Sequence, residues 1–269
     1  DMETRKRLRL RNMAQLVTLD GIDGGFSPTH WQKSLYPKSA QKRIAVVHEG
    51  VDTKLFYPDR HASIELPGGR VLKAGESRVI TFVARDLEPY RGFPQALEAA
   101  QKVIRQNNDA IFVFVGGDGV SYGTPPPGGG SWREYLLRET ELPPDRVVFP
   151  GTISHAQLRK LYQISTAHIY LTYPFVLSWS VIEAMACGAL IIGSDTPPVR
   201  EVIRAGKNGL LVPFYDTDIL AETILNVLRD PDACLPMRAA ARRTVETRFR
   251  LSECLQQQKT LIEAVLDGR

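Results

Sequence analysis

The stretch that decides the fold is residues 168–195, which read HIYLTYPFVLSWSVIEAMACGALIIGSD. It begins with a short apolar run, turns at Pro174, continues as an apolar segment of helical length up to Gly188, and returns to an apolar run at residues 190–192. Short apolar runs bounded by turn residues are typical of buried strands, and a glycine directly after a helix is a common C-terminal cap. The stretch therefore predicts a strand–helix–strand unit.

The same unit recurs on both sides of this stretch. We predict strands at residues 79–83, 110–115, 146–149, 168–173, 190–192 and 209–212, and helices at residues 93–106, 156–163, 181–187, 218–228, 235–248 and 252–266. Strands that alternate with helices form a parallel sheet with helices on both faces. The sequence therefore predicts an α/β fold, a Rossmann-like doubly wound parallel sheet, whose ligand lies beyond the carboxyl ends of the strands.

Three further segments are less regular. Residues 16–19, which are largely apolar, are predicted as a strand. Residues 59–74 are rich in turn residues and are predicted as a hairpin or a mobile loop. Residues 122–131 include three prolines and four glycines and are predicted as a loop. Because no predicted strand leads directly into this loop, a surface insertion is favoured over a phosphate-binding role for its glycines.

The composition is that of an ordinary globular protein, with 43% apolar and 24% charged residues and a formal net charge of +4. The three cysteines are odd in number and form no Cys-x-x-Cys pair, which argues against a disulfide framework and a zinc site. No apolar run approaches the about 18 residues of a membrane span, and the first residues lack a signal-peptide pattern. We therefore expect a cytoplasmic protein.

A basic run near the start of the sequence admits two interpretations. It consists of Arg5, Lys6, Arg7, Arg9 and Arg11. One interpretation is contact with an anionic partner, such as the inner face of a membrane or a nucleic acid. The other, which we favour, is a solvated face or a face covered by a neighbouring domain. Aromatic residues do not interleave the run as they do in proteins that bind single strands, so we do not expect a nucleic acid partner.

Two arginines follow the strand predicted at residues 79–83, in the loop that enters the next helix. Arg85 and Arg91 lie six residues apart. Two guanidinium groups can each donate paired hydrogen bonds to the oxygens of a diphosphate. The alternative is a pair of exposed arginines bonded to Asp86 and Glu88, and spacing alone does not decide between the two.

The first turn of the helix predicted at residues 181–187 is a second candidate site. Its free backbone N–H groups and the helix dipole suit a phosphate. Glu183 lies about one turn inside, where its carboxylate could accept hydrogen bonds from two ribose hydroxyls. Its apolar sequence neighbours are unusual for an ordinary surface glutamate. Trp179 is interpreted either as a core anchor or as a ligand contact.

Four motifs in one order resemble the C-terminal domain of GT-B-fold retaining glycosyltransferases of the group 1 or family 4 type. They are HEGVD at residues 48–52, Arg85 followed by Arg91 and Gly92, EAMACG at residues 183–188, and GKNGLLV at residues 206–212. Each motif is weak alone, but the four in this order make the resemblance strong. It implies the C-terminal half of a GT-B fold and the transfer of a sugar from a nucleotide diphosphate-sugar, with retention at the anomeric carbon.

The resemblance also implies roles for individual residues. Arg85 matches the arginine, and Arg91 the lysine, that contact the donor diphosphate in the family, while Glu183 matches the glutamate that binds the ribose diol. The remaining matches are Ser178, Trp179 and Ser180 at the helix start that holds the distal phosphate, and Gly151, Thr152 and Ile153 in the loop that borders the nucleobase.

One position departs from the family pattern in a way that affects chemistry. Phe175 stands eight residues before Glu183, where the family has another glutamate that touches the donor sugar and helps stabilise positive charge at the anomeric carbon. A phenylalanine cannot supply that charge. We predict that Phe175 lines the sugar pocket, and the sequence assigns no catalytic residue.

The resemblance implies three parts along the chain. Residues 1–45 correspond to the tail of an N-terminal acceptor domain and a linker, residues 46–250 to the nucleotide-sugar-binding domain, and residues 251–269 to a C-terminal helix. The acceptor, a glycan, a lipid or a small molecule, would bind the N-terminal domain, so we expect this chain alone to be inactive. No metal or cofactor is expected, because the arginines and the helix start would neutralise the leaving diphosphate.

Two competing functions remain. A non-catalytic nucleotide-sugar-binding or interaction module would fit Phe175 as a mark of lost chemistry. A nicotinamide-dependent dehydrogenase needs Gly-x-Gly-x-x-Gly after the first strand. The nearest candidate here, residues 116–119, follows the second predicted strand of the repeat and lacks that spacing.

Overall fold

Ten strands and eleven α-helices form within residues 1–138, 140 and 142–268, which the computed structural model describes. The strands are β1 (Gly25–Ser27), β2 (Ile44–Val46), β3 (Ser63–Glu65), β4 (Val71–Lys73), β5 (Arg78–Asp86), β6 (Ala110–Gly117), β7 (Val147–Gly151), β8 (Ala167–Tyr170), β9 (Ile191–Ser194) and β10 (Leu210–Val212). The helices are α1 (Met2–Asp20), α2 (His30–Ser34), α3 (Lys38–Gln41), α4 (Phe93–Ile104), α5 (Trp132–Leu137), α6 (His155–Ile164), α7 (Trp179–Ala186), α8 (Pro197–Arg200), α9 (Thr217–Arg229), α10 (Leu235–Arg248) and α11 (Leu251–Leu266).

The main sheet has six strands in the order β10-β9-β8-β5-β6-β7, and every neighbouring pair is parallel. The chain builds outward from β5 through β6 and β7, then returns to the other side of β5 to form β8. The strands β5 and β8 are therefore neighbours at the point where the strand order reverses, with Ile80 opposite Ala167. In such sheets the loops that follow these two strands face each other across a crevice that commonly binds ligand.

Helices cover both faces of this sheet. On one face α4 and α9 pack together, and Leu97 and Ile224 belong to the same buried cluster as Phe112. On the other face α7 packs against α10, and Met185 and Val245 share a second buried cluster. Because the central strands are buried on both faces, their sequences are continuous apolar runs rather than alternating ones.

The sequence prediction of the α/β fold is confirmed, because each predicted strand and helix overlaps an observed element. The hairpin predicted within residues 59–74 is also confirmed, since β3 and β4 pair antiparallel. The strand predicted at residues 16–19 is wrong, because these residues lie in α1. The helix is rich in Arg and Leu, which favour helix, and Asp1 caps its start by accepting the Thr4 N–H at 2.7 Å. The periodicity of a short apolar run does not show whether the run forms a strand or part of a helix.

A carboxylate of the main unit binds the helix α2, which follows the first strand of the small parallel sheet of β1 and β2. Glu201, which directly follows α8, accepts the backbone N–H groups of His30 and Trp31 at 2.8 and 2.5 Å. These are the first two N–H groups of α2, which have no partner within the helix itself. This capping contact holds the start of α2 beside the carboxyl end of the main sheet.

Candidate functional site

A cleft of about 390 Å³ opens at the carboxyl ends of β5 and β8, where the strand order reverses. Its walls come from the loop after β5, from the loop between β8 and α7, and from the segments around α2 and after β2. The lining residues on which the site depends are Arg85, Arg91, Tyr122, Val176, Leu177, Ser178, Trp179 and Ser180, with Pro28, Gln32 and Glu49. The cleft therefore includes five of the residues predicted from sequence to bind the donor diphosphate.

The two predicted arginines occupy different environments. Arg85 is exposed to solvent, whereas Arg91 is only 8% exposed. One guanidinium nitrogen of Arg91 donates to Thr172 Oγ1 at 3.1 Å and to the Val176 carbonyl at 3.2 Å. These bonds fix the guanidinium against the loop after β8.

Neither arginine is neutralised by the acidic residues beside it in sequence. The Asp86 carboxylate accepts the Gly119 N–H at 3.0 Å and the Ser121 hydroxyl. Glu88 Oε2 accepts backbone N–H groups of the same segment. Among the residues that the structure describes, no ion pair joins Arg85 or Arg91 to a carboxylate. The interpretation of these arginines as partners of Asp86 and Glu88 is therefore not supported.

A glycine brings the two loops together. Gly92 has φ of +71°, a left-handed conformation, at the N-cap of α4. A Cβ atom at this position would lie 2.4 Å from the Leu171 Cβ. Only a residue without a side chain allows this approach, so Gly92 sets the distance between the loop that carries Arg91 and the loop that leads to α7.

The first turn of α7 also faces the cleft. Ser178 is the N-cap: its hydroxyl accepts the Ser180 N–H at 3.3 Å, and its own N–H donates to the Tyr170 hydroxyl at 2.7 Å. The Trp179 residue is 59% exposed. Of the two interpretations that the sequence left open, the core anchor is therefore wrong. The helix dipole and the N–H groups of this turn provide a partial positive charge opposite the arginines.

Glu183 lies one turn further along α7 and is partly buried. Burial raises the pKa of its carboxyl above the ordinary value, and the charge of His155 at the start of α6 counteracts part of that shift. Glu183 does not line the 390 Å³ cleft itself. It faces α6, and a ligand would have to extend along α7 to reach it.

The predicted base-bordering loop lies at the end of β7. Gly151 has φ of +72°, while Thr152 and Ile153 line a separate cavity of about 410 Å³ together with Leu66 and Leu161. In this structure these residues are therefore not brought into the cavity that contains the arginines.

Phe175 is partly buried in the loop after β8 and lines a neighbouring cavity of about 510 Å³ together with residues of α1 and α2, not the 390 Å³ cleft. Its ring packs edge to face against the Tyr122 ring, with centroids 4.9 Å apart. Tyr122 lines the cleft, and sequence reasoning missed it because it belongs to the Gly- and Pro-rich loop interpreted as a surface insertion. The signal available in the sequence was a bulky aromatic at the start of an otherwise small-residue loop. Pro28, Gln32 and Glu49 were also missed, because nothing in the sequence places residues before β5 at this edge of the sheet.

Among residues 1–138, 140 and 142–268, no group of three or more His, Cys, Asp and Glu side chains is placed to hold a metal ion. The described helices include none that is both long enough and apolar enough to span a membrane.

Comparisons with known proteins identify the family to which the sequence is similar. A family model described as glycosyl transferases group 1 matches residues 69–244, and one described as glycosyl transferase family 4 group matches residues 1–56. A D-inositol 3-phosphate glycosyltransferase from Mycobacterium bovis is 29% identical over 208 residues, which are 74% of this chain and 40% of the relative. One from Catenulispora acidiphila is 26% identical over 212 residues, covering 76% of this chain and 47% of the relative. The chain thus spans less than half the length of these curated relatives.

Solved structures share the fold. A sucrose-phosphate synthase from Thermosynechococcus elongatus superposes with a TM-score of 0.77 at 22% identity, covering 97% of this chain and 63% of that protein. HepE from Anabaena, solved in complex with UDP-glucose, superposes with a TM-score of 0.69 at 16% identity, covering 89% of this chain and 63% of that protein.

Proposed function

The chain belongs to the glycosyl transferases group 1 family, and on that premise we propose that it is the donor-binding domain of a glycosyltransferase. In this proposal the whole enzyme transfers a sugar from a nucleotide diphosphate-sugar to an acceptor, with retention of configuration at the anomeric carbon. The sugar nucleotide occupies the cleft between the loops that follow β5 and β8.

The environment of Arg91 carries the proposal. A buried guanidinium is costly unless an anion or several hydrogen bonds compensate it. Arg91 is 8% exposed and has two oxygen acceptors but no carboxylate partner among the described residues. It faces the same cleft as exposed Arg85 and the first turn of α7. A diphosphate in this cleft would supply the missing negative charge and would meet bidentate donors on one side and a helix dipole on the other.

The remaining donor contacts follow from the direction of α7. With the diphosphate at the first turn, the ribose would extend toward Glu183 and the sugar toward Val176 and Tyr122. We propose that Glu183 binds the ribose diol as a carboxylate, since a hydroxyl pair would compensate its burial. Thr152 and Ile153 would border the base on the far side of Glu183. The arginines and the helix N-terminus would neutralise the leaving diphosphate without a metal ion.

The acceptor would approach from the residues that precede β5. Pro28, Gln32 and Glu49 already line the cleft from that side, and we propose that an N-terminal acceptor domain continues there and binds a glycan, a lipid or a small molecule. The chain alone would then bind donor but not transfer sugar. The basic run on exposed α1 would bind the anionic cytoplasmic face of a membrane.

One observation favours a second candidate, a binding module without catalysis. Phe175 provides no carboxylate near the position of the anomeric carbon. A full-length protein that binds sugar nucleotides but turns over neither donor nor acceptor would indicate this second function.

The proposal is tested by thermal unfolding of the chain with UDP, GDP and ADP, each compared with its own nucleoside. A ligand that binds only the folded state raises the melting temperature, by about 5 °C or more at about 100 times its Kd. We expect one diphosphate to stabilise the chain well beyond its nucleoside, and Arg85→Ala to remove most of that difference. Equal shifts for nucleoside and diphosphate across all three bases would contradict the proposal.

A further inference from the structure

The loop of residues 118–131 is largely exposed, but two carboxylates hold its first residues beside the cleft. Asp86 binds its beginning through Gly119 and Ser121. Glu88 Oε2 accepts the N–H groups of Tyr122 and Gly123 at 3.2 and 3.0 Å. Both carboxylates belong to the end of β5 and the segment directly after it, so the same strand positions the arginines and this loop.

Glu88 is the buried carboxylate that holds the start of this loop. The residue is 0% exposed, and its Oε1 has no hydrogen-bond partner among the described residues. A buried carboxylate is costly unless it is hydrogen-bonded, and here the backbone of the loop provides those bonds. The loop and the carboxylate therefore hold each other in place, and the side chain of Tyr122 has a defined position.

That position is at the edge of the donor cleft. The Tyr122 ring lines the cleft and packs edge to face on Phe175. The Arg91 guanidinium carbon lies 5.2 Å from the Tyr122 ring centroid and 5.6 Å from that of Phe175. Both distances fall within the range of cation–π attraction. The two rings thus form an aromatic wall, defined by Tyr122 and Phe175. Tyr122 lines the cleft itself, and Phe175 lines the neighbouring cavity of about 510 Å³, which shares Gln32 and Val176 with the cleft.

The chemistry of this wall differs from that of the rest of the cleft. Neither ring face offers an acceptor for a sugar hydroxyl, and the adjacent Val176 and Leu177 side chains are apolar. A hydroxyl turned toward this wall would lose its hydrogen bonds with water without replacement. A methyl group at the same place would gain apolar contact instead. Glu49, which lines the cleft from the segment after β2, is available for the remaining hydroxyls.

We propose that Tyr122 is a specificity-determining residue, and that the aromatic wall selects a donor whose sugar presents a methyl group, of a deoxy or an acetamido substituent, toward the Tyr122 ring. This inference rests on the proposed function, because it requires the diphosphate to lie between Arg85 and α7. It assigns to the loop of residues 118–131 a role in recognising the sugar rather than the nucleotide.

The experiment is calorimetric titration of the whole chain with donor pairs that share a base. UDP-N-acetylglucosamine is compared with UDP-glucose for the acetamido group, and GDP-rhamnose with GDP-mannose for the deoxy group. UDP and GDP alone report the nucleotide site. We expect the chain to bind one methyl-bearing donor about ten-fold more tightly than its hydroxyl counterpart, which is the scale of discrimination by an apolar pocket.

Substitutions then test whether the aromatic wall causes the preference for the methyl-bearing donor. Tyr122→Ala should reduce the preference to below about three-fold while the affinity for the bare diphosphate changes much less. Tyr122→Phe keeps the ring and should keep the preference. Tyr135→Ala removes a comparably exposed aromatic from α5, outside the cleft, and should change neither quantity.

Three results would overturn the inference. The first is tight binding of a bare diphosphate with no preference in either pair, which would leave the proposed function standing. The second is a preference that survives in Tyr122→Ala. The third is failure of every nucleotide to bind, which would remove the proposed function as well.

Discussion

The two loops that meet in the cleft follow neighbouring strands of one sheet but present opposite chemistry. The end of β5 and the loop after it carry two cations, exposed Arg85 on the strand and buried Arg91 in the loop, and the loop reaches its neighbour through a glycine. The loop after β8 carries Phe175, Val176 and Leu177 and ends in the first turn of a helix. Under the proposed function, the end of β5 and its loop would bind the charged diphosphate, and the loop after β8 would contact the sugar through apolar surface.

The largest expected effect comes from separating the two loops. Gly92→Ala would force a Cβ to within 2.4 Å of the Leu171 Cβ in a left-handed conformation. We expect the free energy of unfolding to fall by about 3 kcal/mol, from strain and overpacking together. Urea denaturation followed by circular dichroism would measure it.

Gly206→Ala is the matched control for that substitution. Gly206 has φ of +72° but nothing within 4 Å of a built Cβ, so only the backbone cost of about 1 kcal/mol applies. Equal losses for the two variants would show that contact between the loops contributes nothing to stability.

A second substitution tests the charged loop without disturbing the fold. Arg85 is exposed, so Arg85→Ala should leave the melting temperature of the unliganded chain unchanged. The affinity for a nucleoside diphosphate should fall by about 2 kcal/mol, the value of a charge-assisted hydrogen bond, or about 30-fold in Kd. Arg105→Ala, at an exposed position that ends α4, serves as the control and should bind normally. A similar loss for the nucleoside would indicate that Arg85 does not act on the phosphates.

The smallest effect concerns Glu183 on the helix that follows the apolar loop. Burial raises its pKa above the ordinary 4.5, so the native state binds this proton more tightly than the unfolded state does. Its contribution to stability is therefore complete below pH 4.5 and is lost as the pH rises through the raised pKa. Glu183→Gln should lack that loss, so the variant gains stability relative to the original chain over this window. Denaturation at a series of pH values would show the difference.

The same variant has an opposite effect on binding if Glu183 holds the ribose. Glu183→Gln should weaken ribonucleotide binding by about 1 kcal/mol and 2′-deoxyribonucleotide binding less. The site assignment of Glu183 would be contradicted by two results together. The first is an identical dependence of stability on pH for the variant and the original chain. The second is an equal loss of affinity for ribonucleotides and 2′-deoxyribonucleotides.

The sheet was predictable because its strands are short, continuous apolar runs that turn residues separate. Runs such as residues 110–115 are apolar throughout because both faces are covered, and the turn residues after them mark where loops begin. Residues 16–19 have no such context, since α1 has no buried residue. There the helix propensity of the surrounding residues decides the structure, which a four-residue pattern does not reveal.

The site was predictable only where it depends on local sequence. Arg85 lies at the end of β5, and Arg91 and the start of α7 lie in or after the loops that follow β5 and β8, so strand order brings them to one edge of the sheet. Tyr122 reaches the cleft through hydrogen bonds between its backbone and Glu88, 34 residues away in sequence. Pro28 and Gln32 depend similarly on Glu201, 171 residues from His30. Contacts of this kind leave no periodic signal, so the sequence identified the cations and Phe175 but not Tyr122.

The most direct test of the account is a crystal structure of the chain with the nucleoside diphosphate that stabilises it most. We predict that the diphosphate lies between the Arg85 guanidinium and the first turn of α7, with the ribose hydroxyls toward Glu183 and the terminal phosphate beside Tyr122. A diphosphate bound away from both Arg85 and the first turn of α7 would contradict the account.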